Sequence, residues 1–383
     1  MKKTVSVSFV CLAIALAAPV AGEEADNGED NIAVLGQMLF NDVNLSKNRT
    51  QACATCHAPD MGFADPRDGA PGRAVSLGDD GHSLGSRNAP TAAYAAHVPP
   101  FGKDAVGNWI GGLFLDGRAH SGLEDQAGGP PLNPAEMGMP DKAAVVERLK
   151  ENDYYVDGLK AAFGDAIFDD TDAAFAAMAK AIAAFERSAE FSTFDSKYDR
   201  YLRGEEKLTD QEELGRVLFA STQFTNCNVC HALKGERGLQ DSVFSNHRYF
   251  NIGVPANPDL AATEADPGLG GVLQGADAAA ERGKFRVPTL RNVAVTGPYM
   301  HNGVFKDLRT VILFYNKYNS IRKSRQIDPE TGKPWAAPEV ADNIAMKELQ
   351  DGPALGDQRI DALVAFLKTL TDRRYEHLLD VEK

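Results

Sequence analysis

The sequence has little cysteine and none to spare. Of its 383 residues only five are cysteine, and four of these, Cys53, Cys56, Cys227 and Cys230, fall in two copies of one pentapeptide, CATCH and CNVCH. The fifth, Cys11, sits inside an apolar run, so no pair remains for a structural disulfide and a disulfide-stapled scaffold is excluded. Long apolar stretches are equally scarce. The one at residues 5–18 follows Lys2 and Lys3 and precedes small residues ending at Gly22. This is the pattern of a secretory signal peptide over residues 1–22, too short for a comfortable membrane span. Because Cys11 lies within the run and not at its end, a lipoprotein anchor is not expected either. The expectation is an exported, periplasmic protein with no stable membrane insertion. Positive charge is also short: the formal charge is −14, and it becomes −16 when the two lysines leave with the signal. Nucleic acid is therefore excluded as a natural partner, and the acidity suits solubility or the steering of basic partners. Alternation of apolar and polar residues is missing, which leaves little for a sheet.

What is present is an ordinary globular composition, 43% hydrophobic and 25% charged, long enough for two or three domains. Three chemistries compete for the repeated C-x-x-C-H. A thioredoxin-like dithiol needs one pair and no histidine at the same place in both copies. A zinc site could draw four thiolates from two pairs, but both histidines would then be redundant. Covalent haem c attachment uses every residue: two thiols bond to the vinyl-derived carbons and the histidine gives an imidazole to iron. Two covalently bound haems c are expected, with His57 and His231 as their proximal ligands.

A second repeat accompanies the first. LGQMLF at residues 35–40 precedes one pentapeptide and LGRVLF at residues 214–219 the other, each with apolar residues at i, i+3 and i+4. Each reads as a short amphipathic helix laid against its own haem. Between the copies, Gly- and Pro-rich loops over residues 59–140 give way to helical stretches near residues 142–152 and in the alanine-rich segment 172–190. The polar segment 201–213 looks like a boundary, with Thr209 as N-cap of the helix that follows. Residues 256–284 read as a long loop, and helices return at 307–318 and 358–371. The fold class is thus mainly α: two cytochrome c-like haem domains with long loops, residues 23–205 and 206–383.

On these motifs, together with GSRNAPT at 85–91, LDGRA at 115–119, the EDQ…GPPLNPAEMG segment and VPTLRNVAVTGPYMHNG at 287–303, the chain resembles the di-haem cytochrome c peroxidase and MauG superfamily. The resemblance runs over nearly all of the chain that follows the signal. It implies an N-terminal haem that reacts with hydrogen peroxide, reaching a high-valent state, and a C-terminal haem that stores or relays electrons. Carried over residue by residue, Gln126, Pro130 and Glu136 fall at the distal side of the peroxide haem. A carboxylate with its pKa raised by burial suits moving a proton between the two peroxide oxygens, and Gln126 would hold the oxygen by hydrogen bonding. From spacing alone Glu136 has a second reading, the N3 position of a helix capped by Asn133 with Pro134 at N1. The resemblance also places Tyr315 as sixth ligand of the second haem, where MauG-like members carry tyrosine and peroxidases fed by small cytochromes carry methionine. A core tyrosine on an apolar helix face is the alternative, and Met300 and Met346 are the outside candidates for a methionine ligand. A phenolate would make that haem hard to reduce and easier to oxidise. Asn88, Thr296 and Pro298 match the family's site for one calcium ion, with an amide oxygen and backbone carbonyls as hard donors.

Two departures bear on the transfer. The family usually has tryptophan before DGR, between the haems, as a station for electron hopping; here that residue is Leu115, with Trp109 six residues earlier. His82 lies near the place of a histidine that caps the oxidised peroxide haem in cytochrome c peroxidases, in a loop differing by about one residue; a surface histidine is the alternative. His301 and His247 read as loop- or propionate-fixing groups. The MauG-like branch implies oxidation of a tryptophan or tyrosine in an exported protein substrate. Its rivals are peroxide reduction with a small cytochrome or copper protein as donor, and a non-catalytic electron-transfer cytochrome.

Overall fold

The computed structural model describes residues 27–68, 73–235, 238–260 and 264–379. The segment 1–22 expected to be a signal peptide, with Cys11 and Gly22, lies outside the described residues. Among the described residues no helix is long and apolar enough to cross a membrane. The architecture is mainly helical. Among the described residues its sheet content is two antiparallel pairs of two-residue strands, Gly102–Lys103 with Trp109–Ile110 and Tyr249–Phe250 with Phe285–Arg286.

Helix starts follow local chemistry. Asp141, Asn152, Asp170, Ser196, Thr209 and Asp307 each accept a hydrogen bond from a first-turn N–H, satisfying donors that have no partner within the helix. Thr209 adds a capping box with Glu212. These caps correct several boundaries. The stretch near 142–152 is a helix at Lys142–Lys150, with Asn152 capping a separate helix, Asp153–Phe163. The alanine-rich helix is Thr171–Glu186, and those expected at 307–318 and 358–371 are Leu308–Asn316 and Asp357–Lys368, with a short helix, Met346–Leu349, between them. The loop at 256–284 carries a short helix, Gly275–Ala280.

The repeated hexapeptides lie in the helices Asn27–Phe40 and Asp210–Ala220, and their shared residue of consequence is glycine. At Gly36 the first helix crosses Thr171–Glu186 so closely that a Cβ would fall on the Ala181 carbonyl and 3.0 Å from Phe185 Cβ. At Gly215 the second crosses Asp357–Lys368 in the same way, against the Ala362 carbonyl and 2.8 Å from Phe366 Cβ. Only glycine permits such an approach of two backbones. The helices thus pack closely on other helices. Their apolar faces build the two cores, and of the two hexapeptides only Phe219 reaches the central cavity.

One core gathers Leu35, Leu39, Phe40, Phe63, Met178, Ile182 and Phe185; the other gathers Tyr198, Leu218, Phe219, Phe244, Leu363 and Phe366. The helix Lys197–Leu202, at the edge of the polar 201–213 segment, packs with the second. Arg291, fully buried, ties the halves together. Its guanidinium meets Asp199 at 2.7 and 2.9 Å and lies over the rings of Tyr94, Phe194 and Phe244. Tyr94 in turn donates to Asp372 at 2.7 Å. Breaking such a buried pair by removing one partner costs about 3–5 kcal/mol.

Candidate active site

Both pentapeptides fold as one helical turn, Cys53–Cys56 and Cys227–Cys230. Residues three apart share a helix face, so each turn presents its two thiols together. The histidine closes it: His57 N–H donates to the Cys53 carbonyl and His231 N–H to that of Cys227, both at 2.9 Å. The main chain also aims the rings. His57 Nδ1 lies 3.1 Å from the Phe63 carbonyl and His231 Nδ1 lies 3.0 Å from the Phe244 carbonyl. A carbonyl only accepts, so Nδ1 carries the hydrogen and the Nε2 lone pair is left for a metal. Phe63 and Phe244 both have positive φ, 53° and 55°, uncommon for a non-glycine residue. Burial lowers the pKa of His57 and pushes that of His231 down to about 4, which keeps both imidazoles neutral. It also keeps the thiols protonated, with Cys230 raised to about 12.

A single cavity of about 650 Å³ is lined by Cys56 and His57 from one motif and by Cys227, Cys230 and His231 from the other. These residues fit two haems c: paired thiols, a neutral imidazole beside each pair, and a buried cation. The cation is Arg286, which lines the cavity 7% exposed, its Nε lacking a hydrogen-bond partner among the described residues. Burial depresses its pKa. A guanidinium so placed calls for an anion, and a haem propionate is a carboxylate of the right kind.

Gln126, Pro130 and Glu136 all line this cavity. Gln126 comes from the helix Leu123–Ala127, and Pro130 opens the 3-10 turn Pro130–Leu132. Glu136 does not begin a helix. Residues 134–137 form a turn in which Asn133 Oδ1 accepts from Ala135 N–H at 3.0 Å and Asn133 Nδ2 donates to Glu136 Oε1 at 2.7 Å. The capping geometry is present, but the chain turns away before a second helical turn can form. Burial raises the Glu136 pKa, against the nearby Arg118 charge and the Asn133 hydrogen bond.

Tyr315 lines the same cavity from the helix Leu308–Asn316. Burial raises its pKa, and Cys230 and Cys227 are near enough to raise it further. Of the methionines, Met300 lines the cavity and Met346 is 38% exposed. Leu115 lines it, whereas Trp109 stacks on Phe101 at 5.0 Å under Lys103, a packing role away from the lining. His82 is a surface residue, its side chain 81% exposed and turned back on Asp80. His301 and His247 both line the cavity. His301 Nε2 is 3.0 Å from Glu339 and its ring stacks on Phe285. His247 sits beside Ser245, pushed down to about 3 by burial and the Arg286 charge. Asn88, Thr296 and Pro298 converge on a second, small cavity of about 10 Å³, lined also by Asp65 and Arg73.

Sequence reasoning missed Glu186 and Arg286. Glu186 lines the main cavity, 5% exposed, with Oε2 lacking a hydrogen-bond partner among the described residues. Its register was the signal: four residues after Ile182, it continues the buried stripe of an alanine-rich helix, where a carboxylate is out of place.

The family model described as di-haem cytochrome c peroxidase matches residues 30–207. Methylamine utilization protein MauG of Paracoccus denitrificans is 53% identical over 381 residues, covering 97% of both chains. Cytochrome c peroxidase Ccp of Escherichia coli is 33% identical over 307 residues, covering 77% of this chain and 55% of that one. The crystal structure of the diheme peroxidase BthA from Burkholderia thailandensis aligns with a TM-score of 0.78 at 32% identity, over 90% of this chain and 86% of that chain.

Proposed function

The chain belongs to the di-haem cytochrome c peroxidase family and is a di-haem peroxidase, and on that premise we propose that it works in the MauG-like manner. It reacts with hydrogen peroxide beside His57 and directs the oxidising equivalents to a tryptophan or tyrosine side chain of a partner protein. The observation that carries this reading is Tyr315, a phenol buried in the cavity beside Cys227 and Cys230, where a donor-fed peroxidase would place a thioether. The 53% identity to a MauG protein supports it.

When bound, the two haems supply redox iron that reduces peroxide and holds the oxidising equivalents until they are spent. The chain's own residues do the rest. His57 and His231 present Nε2 to the metal, fixed by the Phe63 and Phe244 carbonyls. Glu136 takes a proton from one peroxide oxygen and returns it to the other, oriented by Asn133. Gln126 hydrogen-bonds the peroxide, and Pro130 supplies apolar wall. Tyr315 would offer a hard oxygen to the second haem, the metal's charge offsetting the burial that otherwise keeps its proton on, and Arg286 would neutralise a propionate. Asn88, Thr296 and Pro298 hold a calcium ion, a reading supported by their convergence on a cavity with room for one water-sized occupant. Residues 23–205 and 206–383 are the two haem domains, a division supported by the separation of the two larger hydrophobic cores, although Tyr198 packs into the second and Val243 into the first. The protein works outside the cytoplasm, a reading supported by the apolar N-terminal run after Lys2 and Lys3 and by the two haem c motifs.

Paramagnetic resonance of the resting protein should show one high-spin and one low-spin ferric centre, the first changing rapidly with peroxide. Glu136→Gln should slow that change by about 10²–10⁴-fold. Two low-spin centres indifferent to peroxide would instead mark an electron carrier. Mass spectrometry of candidate exported proteins, after incubation with enzyme and peroxide, would identify the oxidised partner.

A further inference from the structure

We propose that Glu186 is the proton donor that replenishes the cavity during turnover, passing protons inward from the surface pair Glu124 and Arg187. The inference rests on the peroxidase reading and extends it. Glu186 closes the helix Thr171–Glu186, lines the cavity, and has an oxygen with no hydrogen-bond partner among the described residues. A buried carboxylate without a partner is strongly disfavoured, so the group holds its proton. Its pKa is accordingly pushed up to about 8, by burial first and by Glu124, against the Arg187 charge.

Position supplies the path. Arg187, the next residue, pairs with Glu124 of the helix Leu123–Ala127 at 2.7 Å, and both side chains are solvent-accessible, 47% and 38% exposed. Glu186 lines the cavity, precedes Arg187 in the chain, and feels the charges of both members of this pair. Both Glu186 and Glu136 raise the pKa of Cys53, so the two carboxyls flank the same haem attachment. Their surroundings divide the labour. Glu136 receives a hydrogen bond from Asn133, which favours its charged, proton-accepting form, whereas Glu186 Oε2 has no hydrogen-bond partner among the described residues.

Stoichiometry requires such a donor. Converting one hydrogen peroxide to two waters breaks the O–O bond and takes two electrons and two protons. The electrons come from the substrate of the peroxidase reaction. Glu136 carries a proton from one oxygen to the other and ends as it began, so it contributes none. Substrate oxidised at a distance releases its protons outside the cavity. Both protons must therefore enter from solvent.

The haem-loaded protein tests this by infrared difference spectroscopy across a pH titration and across reduction. A carbonyl band of a protonated carboxylic acid, shifting in deuterium oxide and fading as pH rises through about 8, is expected in the wild type and should be absent in Glu186→Gln. In the same variant, return of the peroxide-oxidised protein to its resting state should slow at least about tenfold and lose its decline toward alkaline pH. Persistence of the band in the variant, or an unchanged return rate and pH profile, overturns the assignment. If the variant does not load haem, absence of any such band from the wild type overturns it as well. A wild type that ignores peroxide refutes the peroxidase reading instead, since the band is read without peroxide.

Discussion

One added carbon at Gly36 or at Gly215 tests how the two halves are built. At both positions the Cβ of an alanine would land on a backbone carbonyl of the crossing helix, that of Ala181 or of Ala362, and no rotamer change can relieve it. The helices must separate. Overpacking costs about 1–3 kcal/mol where side chains can adjust, and the upper end applies when backbone must move. Against this, alanine gains about 0.5–1 kcal/mol over glycine inside a helix. The net expectation is a loss of about 2 kcal/mol for Gly36→Ala and for Gly215→Ala. Additivity in the double variant follows because the sites lie in separate cores. Gly158→Ala is the control. It is also helical, but its Cβ would meet only the movable ends of Leu35, at 3.2 and 3.4 Å, so it should match the wild type or gain slightly. Denaturant unfolding of the haem-loaded proteins, followed by far-ultraviolet circular dichroism, measures all four. Crossing-site variants as stable as the control would refute the close-crossing account of the repeated hexapeptides.

Glu186 also sets a pH dependence of stability. Its folded-state pKa, about 8, lies above the ordinary carboxylate value of 4.5, so its stabilisation is complete below about 4.5 and is lost as pH rises through 8, at about 1.4 kcal/mol per unit. Glu186→Gln should flatten this decline in denaturant titrations at pH 5 and 9; equal slopes would contradict the buried neutral acid. Arg286→Met should lower the reduction potential of one haem by removing a cation beside its propionate, read by spectroelectrochemistry, and unchanged potentials would separate Arg286 from both haems. Tyr315→Met should make the second haem easier to reduce and alter the low-spin resonance signal, while an unaltered signal would leave Tyr315 as a core residue.

The chemistry-bearing residues were legible where covalent logic demands a fixed pattern. C-x-x-C-H has few uses, and two copies with no spare cysteine leave fewer. Helices with a polar cap, such as the one Thr209 starts, could be read from local sequence because the cap's partners lie within three residues. Ends were harder to read: Glu186 and Asn316 close helices on sequence that propensity would have continued. The hexapeptides showed in sequence, but their meaning did not, since the consequence of Gly36 depends on Ala181, which is 145 positions away and invisible to periodicity. Asn133 offered a cap to a helix that tertiary packing cut to a turn. Arg286 carries no local sign of burial, which is a property of the assembled cavity, and Glu186 shows only its place in a buried helical stripe.

The paired carbonyls of Phe63 and Phe244 carry a consequence for how two equal cofactors come to behave unequally. Because the peptide backbone itself orients the imidazole in each half, with nearly equal reach, the aim of the two rings is alike, although the Asp65 charge acts on His57 alone. On the proposed reading, what separates an oxidant-consuming centre from a charge-holding one falls chiefly to the opposite faces, where Gln126 and Glu136 would stand in one half and Tyr315 in the other. Divergence between the halves had one surface each on which to act.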